Sequence, residues 1–498
     1  MTIRGQLDAI AEKHIIILDG AMGSVIQTLN LDEKVYHGNL FLDYSVPLQD
    51  CNDLLCLTRP GVIGAIHDTY LEAGADIIET CSFKSTSIKL AEFGLSHLSY
   101  DISAAAARIA RKSADKFSTS EKPRLVAGSI GTTSKSASLG EIKWDELEAS
   151  YYDNARGLLD GGVDIFLVET ISDTLNAKAA MRAVNRLLDE RHIDVPIILS
   201  AAVLENGRLQ SGQTLEAFFA SIQRLPNHKM PWAVGLNCFS NAANLLPHLE
   251  LLSEIAPCLI SAYPNAGLPN QFGRYEETPE TMADNIEQYF KEGLVNIIGG
   301  CCGSTPAHIA AIADKAYRIT PRKIPNLPRS TVYSGLDTFN IEKNIVYLNK
   351  KEDGNIVNIN ADDEQTMISL VNEALSNRYS AKSPFFINSR EITVLQAGLK
   401  LLQGHGFAGP IDLRNGETEF VKKAKLIQSY GAAVVVALMD EHGKEDDQSK
   451  EGIAKRAYRL LQEIGFFADN IVFDQGEAIE DSICTWIRDN CPGALIAL

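Results

Sequence analysis

The sequence predicts an α/β protein: a (β/α)8 TIM barrel followed by a second, truncated and degenerate β/α barrel-like domain. Three observations lead there. Eight short apolar runs alternate with helical patterns from Ile15 to about Thr320. A proline-bearing stretch, ITPRKIPNLPRS, then interrupts the pattern. Beyond it the alternation resumes, with too few units to close a full barrel.

At the N-terminus, MTIRGQLDAIAEK reads as an amphipathic helix feeding the strand IIILDG. A signal peptide would show a longer apolar run and a small-residue cleavage site, so a cytoplasmic location is expected. The other strand runs are ADIIET, RLVAGSIG, DIFLVET, PIILSAAV, WAVGLNC, LISAYPNAG and VNIIGGCCG. Between them, stretches such as GVIGAIHDTYLEAG, TLNAKAAMRAVNRLLDE and TMADNIEQYFKEG repeat apolar residues at three and four, the spacing of one helix face. Barrels of this kind place their chemistry at the carboxyl ends of the strands. Here those ends carry Asp19, Glu79, Glu169, Cys238, Asn265, Cys301 and Cys302.

Prolines cannot continue a helix and stiffen an extended connection, which sets the expected organisation: a barrel over 1–322, a linker over 323–330 and a second domain over 331–498. The second domain offers NIVYLNK, NIVNINAD, FFINS, PIDLR, AAVVVALM, NIVFDQ and ALIAL as strands, with five helical segments among them. Only KEDG separates the first two runs. That suits a hairpin turn and is too short for a parallel crossover of about a dozen residues, so one β/α unit is missing. ALIAL without a covering helix would leave an edge able to pair with another chain, so a homodimer or another partner is the expectation.

Composition narrows the function classes. A hydrophobic share of 45% and a charged share of 22% are those of a globular protein, and no apolar run reaches the roughly twenty residues of a membrane-spanning helix. A net charge of -18 opposes the basic field that nucleic acid requires. Nine cysteines, an odd number without framework spacing, read as reduced thiols.

Three of those thiols carry the chemistry. Cys301 and Cys302 follow two glycines in IIGGCCGSTP, and Cys238 follows an asparagine in GLNC, so the three lie just past two strand ends. Adjacent cysteines alone read as ordinary buried thiols. Glycines on both sides of the pair, and a third thiol two strands earlier, favour a metal site instead. Soft thiolates select zinc over magnesium or calcium, and three protein ligands leave a fourth position for substrate. Such a site turns a bound thiol into the thiolate that attacks, which a free alkyl thiol with a pKa near 8.5 supplies poorly at neutral pH.

These residues resemble the homocysteine S-methyltransferases, and most nearly the N-terminal homocysteine- and folate-binding half of cobalamin-dependent methionine synthase. The resemblance is carried by LDGAMGSVIQ, ADIIETCSF, VETISDTLNAKAA, GLNC, YPNAGLPN and GGCCGSTPAHIA. It implies Cys238, Cys301 and Cys302 as catalytic zinc ligands. It also implies that Asp19, Gly20, Ala21, Met22 and Gly23, with Glu169 and Asn237, position the amino-acid end of homocysteine. A carboxylate can accept from an ammonium, and glycine-turn N–H groups can meet a carboxylate. The chain departs from the family at Gly131, Thr132 and Thr133, where Gly-Pro-Thr is usual.

In the second domain QAGLKLLQGHG, KAKLIQSYGAAVVVALMDEHG and FADNIVFD resemble the folate-binding barrel of methionine synthase. The resemblance also shows what is lost: Asn388, Ser389 and Arg390 stand for an Asp-Ser-Ser triplet, and Gly409 for a pterin-facing Asn, while Asp362 and Asp474 remain. Each lost partner leaves ligand polar groups unpaired, so the pterin site is read as degenerate. The implied activity is zinc-dependent methylation of homocysteine to methionine, the methyl delivered by a separate corrinoid (cobalamin) protein or another donor. A methyltetrahydrofolate-dependent module and a noncatalytic zinc or homocysteine sensor are the alternatives.

Overall fold

The computed structural model describes residues 3–223, 230–326, 332–341, 344–348, 356–439, 450–476 and 480–497. The chain forms two compact units, one of residues 1–210 with 231–327, the other of 211–230 with 328–498.

All eight apolar runs of the first unit become strands: β1 (Ile16–Ile17), β2 (Ile77–Glu79), β3 (Leu125–Ile130), β4 (Ile165–Ile171), β5 (Ile197–Ala201), β6 (Ala233–Asn237), β7 (Leu259–Tyr263) and β8 (Ile297–Ile298). Their order is β1-β8-β7-β6-β5-β4-β3-β2, and every pairing is parallel. A parallel bridge from Leu18 to Ile77 joins β1 to β2 and closes the ring. The strands are buried on both faces, as helix-covered parallel strands must be, which explains their continuous rather than alternating hydrophobicity.

Helix Ile3–Ala11 contributes Leu7 and Ala11 to the barrel core, where they pack with Ile16, Ile165, Trp232 and Ile297. Burying Leu7 completely stabilises by about 1.5–3 kcal/mol. The indole Nε1 of Trp232 donates to Asp8 Oδ1 at 2.7 Å, fixing the helix in rotation. At the other end Arg322, 5% exposed, donates to Ser253 Oγ and to the carbonyls of Ser253, Ala256 and Cys258. Its guanidinium satisfies acceptors at the C-terminus of helix Ala242–Ile255 that would otherwise be orphaned. Of the expected linker, residues 327–330 lie outside the described residues.

The second unit opens with a hairpin absent from the sequence reading, β9 (Val332–Ser334) against β10 (Thr338–Asn340). Tyr333 of β9 is fully buried, stacks on Phe407 at 4.2 Å between centroids, and donates its hydroxyl to Asp469 O at 2.7 Å. Helix Leu215–Ile222 packs here: Thr214 N donates to Leu336 O, Gln213 Nε2 to Gly335 O, and Ser221 Oγ meets Ser334 Oγ. These bonds sort the helix and the residues just before it with the second unit.

The seven expected strands form, the one read as PIDLR lying three residues earlier: β11 (Ile345–Val346), β12 (Val357–Asn360), β13 (Phe385–Asn388), β14 (Phe407–Ile411), β15 (Ala433–Ala437), β16 (Ile471–Asp474) and β17 (Leu495–Ala497). They make one parallel sheet in the order β11-β17-β16-β15-β14-β13-β12. Two expectations fail. β11 and β12 do not form a hairpin; they run in the same direction and occupy opposite edges of the sheet, because a tight turn cannot join parallel neighbours. The KEDG residues themselves, 351–354, lie outside the described residues. Nor is β17 an edge: Ile496 pairs with Phe473 of β16 on one side and Ile345 of β11 on the other. The exposed-edge motive for a homodimer goes with it.

Among the described residues no helix is long and apolar enough to cross a membrane.

Candidate active site

The carboxyl ends of β1 and β8 are stitched together by backbone. Gly300 N donates to Asp19 O at 3.1 Å, and Gly303 N to Ser24 Oγ at 2.9 Å. Ser304 Oγ accepts from Ala21 N and donates to Cys301 O. A Cβ on Gly20 would stand 2.7 Å from that Ser304 oxygen and 2.9 Å from the Tyr70 ring, so this turn has room for glycine alone. The next stitch runs from β8 to β7: Cys301 N donates to Pro264 O and Ala266 N to Cys302 O.

Cys238 comes from the end of β6 with φ +56°, and Thr170 in β4 has φ +55°, both in the left-handed region that non-glycine residues avoid. Asn237 holds this arrangement. Its Oδ1 accepts from Thr170 N and Ser200 Oγ, while Nδ2 donates to Thr170 Oγ1 at 2.8 Å and Cys301 Sγ at 3.9 Å.

The sulfurs of Cys238, Cys301 and Cys302 all lie within 4.8 Å of one another, and Cys238 and Cys302 are 3.9 Å apart. A disulfide needs about 2.05 Å. Tetrahedral zinc with Zn–S bonds of 2.3 Å sets its sulfurs roughly 3.8 Å apart, close to the spacing observed. The donor set therefore fits a soft cation with an open fourth position. By themselves the three thiols cannot all ionise: hydrogen bonds from Cys238 and Cys301, with a smaller one from Tyr275, bring Cys302 down to about 3. For Cys238 the Cys301 hydrogen bond acts downward, but the Cys302 hydrogen bond, burial and the Cys302 charge outweigh it and push the thiol up to about 12. Cys301 is also raised, by hydrogen bonds to both neighbours and by burial.

These sulfurs line a cavity of about 590 Å³ together with Glu79, Glu169, Ser129 and the Gly20–Gly23 turn. Glu169 is 4% exposed and accepts from Ser129 Oγ; burial raises it to about 7 against that bond, with the Cys302 charge adding. Glu79 is raised by burial and then by the charges of Glu169 and Asp19. Asp19 lies just beneath, 1% exposed, raised chiefly by burial; its Oδ2 accepts from Glu79 N. Its Oδ1 is buried without a partner among the described residues. Three carboxyl groups held against their charge make a pocket that an ammonium would relieve.

Gly20, Ala21, Met22, Gly23, Glu169 and the three cysteines thus converge on one cavity. Asp19 supports its floor, and Asn237 is fully engaged inside the protein. Sequence reasoning missed Tyr275, which reaches the cavity from the loop after β7, and the supporting Ser129 and Ser304. Gly303 in the GGCCG run, with φ +82°, was a signal: a Cβ there would lie 2.3 Å from the Tyr275 ring.

In the second unit Asn388 and Asp474 end β13 and β16, and Asp362 follows β12 on the surface. Asn388 Nδ2 donates to Asn358 Oδ1, and Asp474 Oδ1 accepts from Gly476 N. Arg390, from the altered triplet, pairs with Asp412 at 2.6 Å and contacts Met439 Sδ at 3.9 Å, bridging the ends of three adjacent strands.

A closed β/α barrel with a three-thiol cluster and buried carboxylates at its strand ends is the framework of a barrel enzyme that handles a soft, sulfur-bearing substrate. The sequence model of the homocysteine S-methyltransferases matches residues 16–316. The chain belongs to that family and is a methyltransferase with a homocysteine-methylating function. Among solved structures it is similar to the metallated form of the homocysteine methyltransferase MmuM from Escherichia coli, at 24% identity over 63% of this chain and 99% of that one, TM-score 0.49. The apo form of MmuM gives 23% identity, with the same coverage and TM-score 0.46. A B12-independent methionine synthase from Shewanella sp. W3-18-1 gives 14% identity over 53% of this chain and 87% of that one, TM-score 0.32.

Proposed function

We propose that the protein transfers a methyl group to the sulfur of homocysteine, forming methionine, with Cys238, Cys301 and Cys302 as the ligands of a zinc ion. The observation that carries this reading is the meeting of three sulfurs within 4.8 Å beside Glu79 and Glu169 in one cavity. Zinc held by three thiolates would keep the substrate sulfur deprotonated at neutral pH while leaving it nucleophilic.

The protein's own groups do the rest. Glu169 and Glu79 accept the substrate ammonium, and Asp19 adds negative charge from below. N–H groups of the Gly20–Gly23 turn face the substrate carboxylate. Ser129 and Asn237 hold Glu169 and the Thr170 backbone, so the bound amino acid meets a preformed site. The substrate sulfur then attacks the donor methyl in line, and the electron pair leaves with the donor.

For the donor, a separate corrinoid protein or another methyl carrier is the reading favoured. Arg390 lies across the strand ends of the second unit, where a pterin would need the carboxylate that Asn388 replaces. In this reading residues 1–322 carry the chemistry and 331–498, joined by 323–330, serve as a retained scaffold. Asp362 and Asp474 keep one other reading in play, binding of methyltetrahydrofolate in an altered pocket. Calorimetry showing no heat with methyltetrahydrofolate would dispose of it.

The deciding experiment is zinc content with X-ray absorption at the metal, with and without homocysteine. Three sulfur ligands rising to four on adding homocysteine is the expected result. No zinc, or an unchanged sulfur count, would refute the proposal and leave a sensor or structural role.

A further inference from the structure

Hydroxyl side chains take over where a strand stops. β2 ends at Glu79, which pairs with Ala127 of β3. Ser129, two residues further along β3, therefore faces chain that is no longer a strand, and its N–H and C=O on that side need other partners. Side chains supply them: Ser129 N donates to Thr80 Oγ1 at 2.9 Å, and Ser129 O accepts from Ser82 Oγ at 2.7 Å. Thr80 Oγ1 and Ser82 Oγ lie 2.6 Å apart. A hydroxyl has a single proton, and that of Ser82 is committed to Ser129 O, so Thr80 donates to Ser82. The result is a closed ring of three hydrogen bonds running in one direction, built from three buried residues.

The ring has one output. It holds both backbone polar groups of Ser129, and the Ser129 hydroxyl that remains donates to Glu169 Oε1 in β4. That leaves Glu169 Oε2 for a ligand in the cavity this side chain lines. A glutamate has several rotatable bonds, and fixing it before the substrate arrives removes an ordering cost from binding. We propose that Thr80 and Ser82 are positioning residues which, through Ser129, aim the Glu169 carboxylate at the substrate ammonium and so set the preference for an amino-acid thiol over the same thiol acid without its amino group. This rests on the reading above in which Glu169 receives the ammonium.

The test is calorimetry on the full zinc-loaded chain under reducing conditions, with L-homocysteine and with 4-mercaptobutanoate, which lacks only the amino group. A damaged fold or metal site weakens both ligands alike, whereas a misdirected Glu169 weakens homocysteine alone. Thr80→Val keeps the side-chain shape and opens the ring. It should cut homocysteine affinity about tenfold, the size of one charge-assisted hydrogen bond, and leave 4-mercaptobutanoate within about twofold. Thr80→Ser keeps the hydroxyl and should retain the wild-type ratio. Ser82→Ala opens the ring from its other side and should reproduce the loss, so the outcome does not hang on the folding of one variant. Ser129→Ala removes the output, and adding Thr80→Val to it should cost nothing more. An unchanged ratio in the ring-opening variants, equal losses for the two ligands, or additive losses in the double variant would overturn the proposal. Wild-type protein that binds no homocysteine, or binds both thiols equally, would instead overturn the reading beneath it, so the two failures are distinguishable.

Discussion

His67 lies in helix Pro60–Glu72 with no surface exposed, and neither ring nitrogen has a partner among the described residues. Burial lowers its pKa from 6.5 to about 4, with Asp68 opposing weakly. Between those values the unfolded chain binds a proton that the folded chain refuses, so stability rises with pH across the window. Above about pH 7.5 the effect vanishes. A shift of this size costs roughly 2 kcal/mol at pH 5 and about 3 kcal/mol once pH falls below 4. Replacing His67 by Leu removes the titration while keeping an apolar side chain of similar size. Urea unfolding of wild type and His67→Leu, at intervals from pH 7.5 to 5, should show the variant gaining about 2 kcal/mol on wild type over that range. Parallel stability curves would refute the reasoning, since no other group differs between the two proteins.

Three further outcomes are expected. Cys301→Ser should bring bound zinc from about one equivalent to near zero by elemental analysis, because a serine oxygen is a harder and more basic ligand; retained metal would exclude Cys301 as a ligand. Glu169→Gln should raise the KM for homocysteine roughly 10- to 100-fold with a smaller change in kcat, the pattern of a lost ground-state contact to a charged group; a fall in kcat alone would assign Glu169 elsewhere. Arg322→Ala removes donors to four acceptors, three of them backbone carbonyls, and should destabilise the first unit by about 2–4 kcal/mol in urea unfolding.

The first barrel was legible because each strand is a short apolar run between helical patterns, and a strand covered on both faces writes its burial directly into the sequence. The thiol cluster was legible for a related reason: once GLNC and GGCCG are assigned to strand ends, barrel geometry brings them together. Where local spacing had to stand for three-dimensional neighbourhood, the reading failed. KEDG looked like a hairpin turn, yet β11 and β12 take opposite edges of the sheet. ALIAL looked like a free edge, yet β11 returns to cover it. Tyr275 was invisible because an aromatic in a polar loop carries no periodicity.

The passage of the chain between its two units bears on how such a protein can be rearranged by recombination. Residues 211–223 are encoded between β5 and β6 of the first barrel but sort with the second unit, so the polypeptide passes between units more than once. A single cut at the proline-rich stretch would part the helix Leu215–Ile222, which also serves as the crossover from β5 to β6, from the hairpin that Gln213, Thr214 and Ser221 bond. Exchange of the second unit as a module requires a breakpoint that carries this helix with it.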